Sequence, residues 1–286
     1  MEWIESITEA LKYIENNLTE DLTNEKIAQQ VNISPFYFQK GFSMLCGIPV
    51  MEYVRNRRLT LAGEELAVGK DVKVIDIALQ YGYDSVDGFT KAFTRFHGIT
   101  PSEAMKDGTL IKSFAPLKLQ LTMKGGYLMD YKIMKKAEFT VLGSTKIFDY
   151  ENCKETIPEF WKEHYASGKG KAVFGSYGIN IDEKMEGDKF EYLIADDYDP
   201  TKDVPEGFIT KTIPSFTWAV FPCSGAMPEA LQSVNKKIFA EWLPATKEYE
   251  FAAGYCVEYY DDPCKYSKGT KDENYYSEIW IPVKKK

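Results

Sequence analysis

Glu25-Lys26-Ile27-Ala28-Gln29-Gln30-Val31, then Ser34 and Phe38-Gln39-Lys40-Gly41-Phe42, then Gly47-Ile48-Pro49, is one half of a doubled unit. About fifty positions later the other half reads Ile75-Asp76-Ile77-Ala78-Leu79-Gln80-Tyr81, then Ser85 and Phe89-Thr90-Lys91-Ala92-Phe93, then Gly98-Ile99-Thr100-Pro101. Each copy is a short apolar-patterned helix, a tight polar turn, a serine placed to cap a second helix, and a glycine that stops it. That order predicts a helix-turn-helix, whose second helix fits a major groove. Two copies let one chain address two successive groove segments. Between them, residues 49–67 or so read as a single helix with Tyr53, Leu59, Ala62 and Leu66 as its buried stripe.

Charge argues less simply for DNA. The chain is net −8, and residues 1–110 carry 11 Lys/Arg against 16 Asp/Glu. Distribution decides the matter. Residues 1–25 hold seven acids and one lysine, on a helix whose Trp3, Ile7, Leu11, Ile14 and Leu18 form one apolar stripe. Residues 35–60 hold Lys40, Arg55, Arg57 and Arg58 against Glu52 alone. All four arginines (Arg55, Arg57, Arg58, Arg95) lie in the doubled unit, and arginine is the side chain suited to phosphate and guanine contacts. The basic face is thin, which predicts modest non-specific affinity and a shallow salt dependence.

In the first reading helix, Phe38 and Phe42 lie one turn apart as core residues, as Phe89 and Phe93 do in the second. Phe36, Gln39 and Lys40 then point away from that core. Gln39 suits an adenine edge and Phe36 a thymine methyl. The second reading helix offers Thr90, Lys91 and Arg95, with Asp87 an awkward neighbour for phosphate. His97, beside Gly98, reads as a helix-end cap without catalytic duty.

These residues resemble the AraC/XylS family of transcription regulators. The resemblance covers roughly residues 5–107 and rests on the serine, Phe-Gln-Lys and glycine of the first copy, on Arg58-Leu59-x-x-Ala62, and on Gly82-Tyr83, Phe89, Phe93, Gly98 and Thr100-Pro101-Ser102. It implies an all-α double helix-turn-helix DNA-binding domain over residues 1–110, with Phe36, Gln39, Lys40, Arg55, Arg57, Thr90, Lys91 and Arg95 facing double-stranded promoter DNA. RNA polymerase is a further partner that such a role allows.

No apolar run is long enough to span a bilayer, and the acidic start is unlike a signal peptide, so a cytoplasmic protein is expected. Five cysteines, with no C-x-x-C pair, read as reduced thiols. No P-loop, dinucleotide fingerprint or metal-spaced His/Cys set occurs, so neither cofactor nor metal is expected. Monomer and dimer are both open.

Residues 107–130 contain Asp107-Gly108, Pro116 and Gly125-Gly126, which places a linker over 111–128. It carries one alternating, strand-like piece (Leu117, Leu119, Leu121, Met123). Beyond it, period-two strands are predicted at 131–147, 172–181, 190–198, 208–222, 251–260 and 275–283, with helices at 156–167 and 228–243. The order is that of an α+β domain with a duplicated strand-helix-strand-strand half. In the last strand Ile279, Ile281 and Val283 share one face, and Tyr276, Glu278 and Trp280 the other. Phe190, Tyr192 and Ile194, then Phe216 and Trp218, then Tyr255, Val257 and Tyr259 repeat that aromatic mixture. A sheet lined by Tyr192, Phe216, Trp218, Tyr255, Tyr276 and Trp280 around Glu278 predicts a receptor for a small cationic or aromatic molecule.

This region resembles the GyrI-like effector domains, on Met129-Asp130-Tyr131-Lys132-Ile133 at its entry and Glu278-Ile279-Trp280-Ile281-Pro282 at its exit. The resemblance spans roughly 129–285 and implies that Glu278 lies in a ligand pocket. Two other readings stay open: a regulator whose second domain binds only a protein partner, and a small-molecule hydrolase using Glu278 with a nearby tyrosine.

Overall fold

The computed structural model describes residues 3–69, 72–118, 129–150, 152–183 and 189–286. In chain order the first helices are α1 (Trp3–Asn16), α2 (Asn24–Gln30), α3 (Pro35–Cys46), α4 (Val50–Val68), α5 (Val74–Gln80), α6 (Val86–His97) and α7 (Pro101–Ala104). The chain forms two compact units, Met1–Ile33 with Cys46–Met123, and Ser34–Leu45 with Lys124–Lys286. Each is described by itself.

In the first unit the apolar stripe of α1 buries Trp3, Ile7, Leu11 and Ile14. Helix α2 starts on Thr23, whose hydroxyl accepts from the Lys26 amide. Helix α6 starts in the same way on Ser85, which accepts from the Gly88 amide, and stops at Gly98 with a positive φ of 83°. Between the paired helices of each copy, one residue is left-handed: Asn32 (φ 53°) in the first and Gly82 (φ 79°) in the second. Asparagine and glycine are the residues that take this conformation at least cost. Leu59, Ala62 and Leu66 of α4 meet Ile77, Tyr81, Phe89 and Phe93 in one core. The connecting helix and the Phe89/Phe93 pair therefore stand as the sequence predicts.

The second unit is built on β1 (Lys132–Lys136), β2 (Phe139–Asp149), α8 (Cys153–Ala166), β3 (Tyr177–Ile181), β4 (Lys189–Asp197), β5 (Ile209–Ile213), β6 (Phe216–Ser224), α9 (Glu229–Lys237), β7 (Tyr249–Phe251), β8 (Tyr255–Tyr260) and β9 (Tyr276–Lys285). Three predicted strands divide in two. Pro214, which cannot donate to a ladder, lies between β5 and β6, Gly254 between β7 and β8, and a break at 137–138 between β1 and β2. The predicted helix over 228–243 continues past α9 as a π-helical turn, Ile238–Trp242. Of the strand-like piece in the linker, Leu119, Leu121 and Met123 lie outside the described residues.

All pairings in the sheet are antiparallel, in the order β1-β6-β9-β8-β3-β4-β2-β5, with β7 also on β9. Read outward from the central β8/β3 pair, β9 matches β4, β6 matches β2 and β1 matches β5. The duplicated half is thus an approximate two-fold of the sheet. One sheet face buries Val141, Ile179, Leu193, Trp218, Val220, Tyr255, Val257 and Trp280. The opposite face packs Phe148, Phe190, Tyr192 and Ile194 under Phe160 and Trp161 of α8.

Candidate functional site

Glu278 sits on β9 opposite Tyr259 of β8 and Pro222 of β6, and it is only 6 % exposed. Burial of an unpaired carboxylate is costly, so its oxygens must find donors. Oε1 accepts from the Tyr276 hydroxyl at 2.7 Å and from Lys132 Nζ at 3.1 Å, while Oε2 accepts from Trp280 Nε1 at 2.6 Å. The Tyr276 and Trp280 contacts follow from alternation, since both lie two residues away on the same strand face. The Tyr276 phenol is held above its ordinary pKa by burial first, then by its bond to Glu278.

Aromatic rings continue this surface. Trp280 meets Trp218 edge-on at 6.1 Å, Tyr177 at 6.1 Å and Tyr259 in a stacked arrangement at 6.4 Å. Phe216 lies 5.5 Å from Trp218 and 5.4 Å from Tyr255. Trp218 is fully buried, and its Nε1 has no hydrogen-bond partner among the described residues. Two lysines of β1 also reach this face: Lys132 at Glu278, and Lys136 with its ammonium 4.4 Å from the Phe139 centroid and 5.4 Å from that of Trp280. Further along, Lys211 of β5 pairs with Glu183 (3.3 Å) and Glu191 (3.1 Å), and Tyr255 donates to Glu183 at 2.9 Å.

Of the residues expected at this face, the structure brings Glu278, Trp218, Tyr255, Tyr276, Trp280 and Phe216 to it and places Tyr192 elsewhere. Tyr192 faces the helix-covered side, where its hydroxyl accepts from Trp161 Nε1 at 3.0 Å and donates to Glu258. The parity of β4 is the reverse of the expected one, with Leu193 and Ala195 on the Glu278 side. An interior strand covered on both faces is apolar at successive positions, so its alternation carries no signal. Lys132, Lys136 and Lys211 were missed for the converse reason: on edge strands a charged residue reads as solvated. Tyr177, on the interior strand β3, was missed because that strand too is buried at nearly every position.

A separate cleft of about 780 Å³ opens on the helix side of the sheet, among Tyr131, Glu241, Trp242 and Tyr249. Two carboxylates line it, Glu241 and Glu248, and the buried Oε2 of Glu241 has no hydrogen-bond partner among the described residues, in contrast to the triple donor set around Glu278. The Glu278 face combines charge, aromatic rings and register in one place, and is the stronger candidate.

The expected DNA-facing residues divide sharply. On α6, Lys91 and Arg95 are exposed and Thr90 is half-buried, with Arg95 one turn beyond Lys91. Arg55 is half-buried on α4. Arg57 is a correction: it is 7 % exposed, its Nε and Nη2 grip the Glu15 carboxylate at 2.9 Å, and Nη1 donates to the Phe114 carbonyl at 2.6 Å. Glu15 of α1, one of the seven acids of the first 25 residues, supplies its partner. Phe36 and Gln39 are also covered, at 1 % and 4 % exposure, and Gln39 Oε1 has no partner among the described residues. Within the second unit Phe36 meets Tyr150 edge-on, the Tyr37 hydroxyl donates to the Tyr255 carbonyl, and Lys40 Nζ lies 3.1 Å from Cys256 Sγ. A helix beginning Pro-Phe-Tyr-Phe has apolar residues on several sides, and here more than one side is buried.

His97 is no cap. Its Nε2 lies 2.9 Å from the Leu59 carbonyl, and Nδ1 accepts from the Lys112 amide at 3.1 Å. That pattern fixes the neutral tautomer, and burial lowers its pKa. Among the described residues no group of three or more His, Cys, Asp or Glu could hold a metal, and no helix is long and apolar enough to cross a membrane.

Residues 129–284 match the family model of a GyrI-like small molecule binding domain, and residues 27–107 match a helix-turn-helix domain model. Among curated relatives, the HTH-type transcriptional activator AarP of Providencia stuartii is 42 % identical over 96 residues, 34 % of this chain and 70 % of its own. The uncharacterized HTH-type transcriptional regulator YbfP of Bacillus subtilis is 29 % identical over 151 residues, 53 % of this chain and 46 % of its own. Among solved structures, SAV2435 bound to tetraphenylphosphonium superposes with a TM-score of 0.47 at 25 % identity, covering 55 % of this chain and 94 % of that one.

Proposed function

Since the chain belongs to the GyrI-like small molecule binding family and carries an AraC-type helix-turn-helix domain before it, we propose that this DNA-binding transcription regulator senses a lipophilic organic cation at Glu278. The supporting observation is the carboxylate itself: 6 % exposed, held by Tyr276, Trp280 and Lys132, and continuous with a surface of tryptophan and tyrosine. A cation there gains a buried counter-charge and ring faces together, with each cation–π contact contributing about 0.5–2 kcal/mol. Any effect of the ligand on DNA must come from unequal affinity for the DNA-competent and incompetent arrangements.

On the DNA side, α6 presents Lys91 and Arg95 with Thr90. We assign these to phosphate and base contacts, with Arg55 as a further phosphate contact. Reading by Phe36, Gln39 and Lys40 requires those side chains to become uncovered.

The test is a titration with tetraphenylphosphonium, a monocation enclosed by four phenyl rings, followed by tryptophan quenching. Glu278→Gln keeps the shape and removes the charge, and should weaken the cation by at least about 1.5 kcal/mol, roughly tenfold, while sparing neutral triphenylphosphine oxide. Equal affinities in both proteins would move the site away from Glu278. A gel shift on duplexes from the neighbourhood of the protein's own gene, at low salt, with and without cation, tests the regulator; no shift in either condition ends that reading.

A further inference from the structure

The acid that recommends Glu278 as a cation site already has a cation on it, and that cation belongs to the chain. Lys132 Nζ lies 3.1 Å from Oε1, yet the Lys132 side chain is 58 % exposed while that of Glu278 is 8 % exposed. The pair is lopsided. Losing a positive partner is costly for the covered carboxylate, and leaving is cheap for a lysine that water already solvates.

Lys136, four residues along the same strand and on the same face, places its ammonium over Phe139 and Trp280. One lysine therefore takes the counter-charge and the other takes the ring face, the two features that an organic cation would use. Both ride on β1, which among the described residues pairs with β6 alone, and whose residues are exposed or half-buried throughout. Among the described residues the other groups placed against Glu278 include Tyr276 and Trp280, which donate to it, Tyr259 and Pro222 opposite, and the Cys223 thiol nearby; none of these carries a positive charge.

Resting on the reading of Glu278 as the effector's counter-charge, we propose that Lys132, assisted by Lys136, is a tethered stand-in for the effector that a cationic ligand must displace from Glu278. This makes Lys132 the residue that sets the selectivity of the site. A small hydrophilic cation gains nothing that the tethered ammonium lacks and does not replace it. A cation wrapped in apolar surface brings contacts to Trp280 and its neighbours that lysine does not make, and it wins. Affinity for cations is reduced by the fraction of protein in which Lys132 holds the acid, while neutral ligands escape that reduction.

Lys132→Met keeps the length of the side chain and removes its charge. In a tetraphenylphosphonium titration followed by tryptophan fluorescence, the variant should bind about three- to tenfold more tightly than wild type. Triphenylphosphine oxide should bind both equally. Lys132→Arg retains a positive charge and should stay near wild type, and Lys132→Gln should repeat the gain. The double variant Lys132→Met, Glu278→Gln should lose it. Wild-type binding that depends on Glu278 but is unimproved or weakened in both Lys132→Met and Lys132→Gln overturns this proposal alone. Binding indifferent to Glu278→Gln overturns the site, and this proposal with it. Circular dichroism and melting curves of each variant confirm that folded proteins are being compared.

Discussion

The two halves of the sheet each set a lysine of the outermost strand against a carboxylate two strands inward, and they use that arrangement differently. In one half Lys132 of β1 meets Glu278 of β9; in the other Lys211 of β5 meets Glu191 of β4. Lys132 is 58 % exposed and touches one carboxylate, whereas Lys211 is 27 % exposed and touches two. The acids differ in the opposite sense. Glu278 is nearly covered, while the side chains of Glu191 and Glu183 are 22 % and 56 % exposed. Where the lysine is itself mostly covered and held between two acids, the pairs hold the fold. Where it is exposed and held by one acid, the lysine can be exchanged. The same distinction separates two arginines of the helical unit, Arg57 bound to Glu15 and Phe114, and Arg95 exposed on α6.

Arg57→Ala should give the largest loss of stability. It leaves Glu15 without its bidentate partner and the Phe114 carbonyl without a donor, and breaking such a mostly covered pair costs about 2–4 kcal/mol. Chemical denaturation reads this directly. If Arg57→Ala instead left stability intact and weakened DNA binding, Arg57 would belong with the exchangeable charges. Lys211→Met comes next, at about 1–2 kcal/mol, discounted because its partners are partly solvated. Lys132→Met should cost about 0.7–1.4 kcal/mol, the free-energy equivalent of its three- to tenfold gain in cation affinity. Equal losses at Lys211 and Lys132 would erase the contrast between the halves.

Much of this was legible in the residues, for identifiable reasons. The cap at Ser85, the stop at Gly98 and the Phe89/Phe93 pair are local signals, and each is realised. The sheet face of Glu278 follows from strand parity on β9, where the aliphatic residues Ile279, Ile281 and Val283 fall on one face and Tyr276, Glu278 and Trp280 on the other. Tyr192 was misplaced because β4 is buried on both sides. Arg57 was misread because its partner, Glu15, is 42 positions away and only tertiary packing joins them. Phe36 and Gln39 were expected in solvent, and the cover over them comes from parts of the chain that local pattern does not reach.

Arg95→Ala should leave stability within about 0.5 kcal/mol, as exposed surface changes usually do. It should weaken all duplexes alike and reduce the salt slope of binding by about one unit if Arg95 meets phosphate. Loss confined to one sequence would make Arg95 a base contact instead. A stability loss comparable to that of Arg57→Ala would remove it from the exchangeable set.

The smallest expected effect concerns protons. Glu183 is held below the usual carboxylate range by the Tyr255 hydroxyl first and Lys211 second, and Lys211 is raised by Glu191 and Glu183 despite its partial burial. A carboxylate depressed in the folded state binds fewer protons there than in the unfolded chain. Its contribution is therefore present above its unfolded pKa of about 4.3 and is lost as pH falls through the folded value. A lysine raised in the folded state does the reverse: its contribution is full below about pH 10.4 and fades as pH rises through the folded value. Glu183 is largely solvated, so the acid limb should be shallow. Melting curves of wild type and Lys211→Met between about pH 5 and pH 3 isolate it, because the variant removes the ammonium and leaves the Tyr255 bond. The wild type should lose slightly more stability than the variant over that range. Identical acid limbs would mean that the Tyr255 hydroxyl alone holds Glu183 and that the Lys211 ion pairs add nothing measurable.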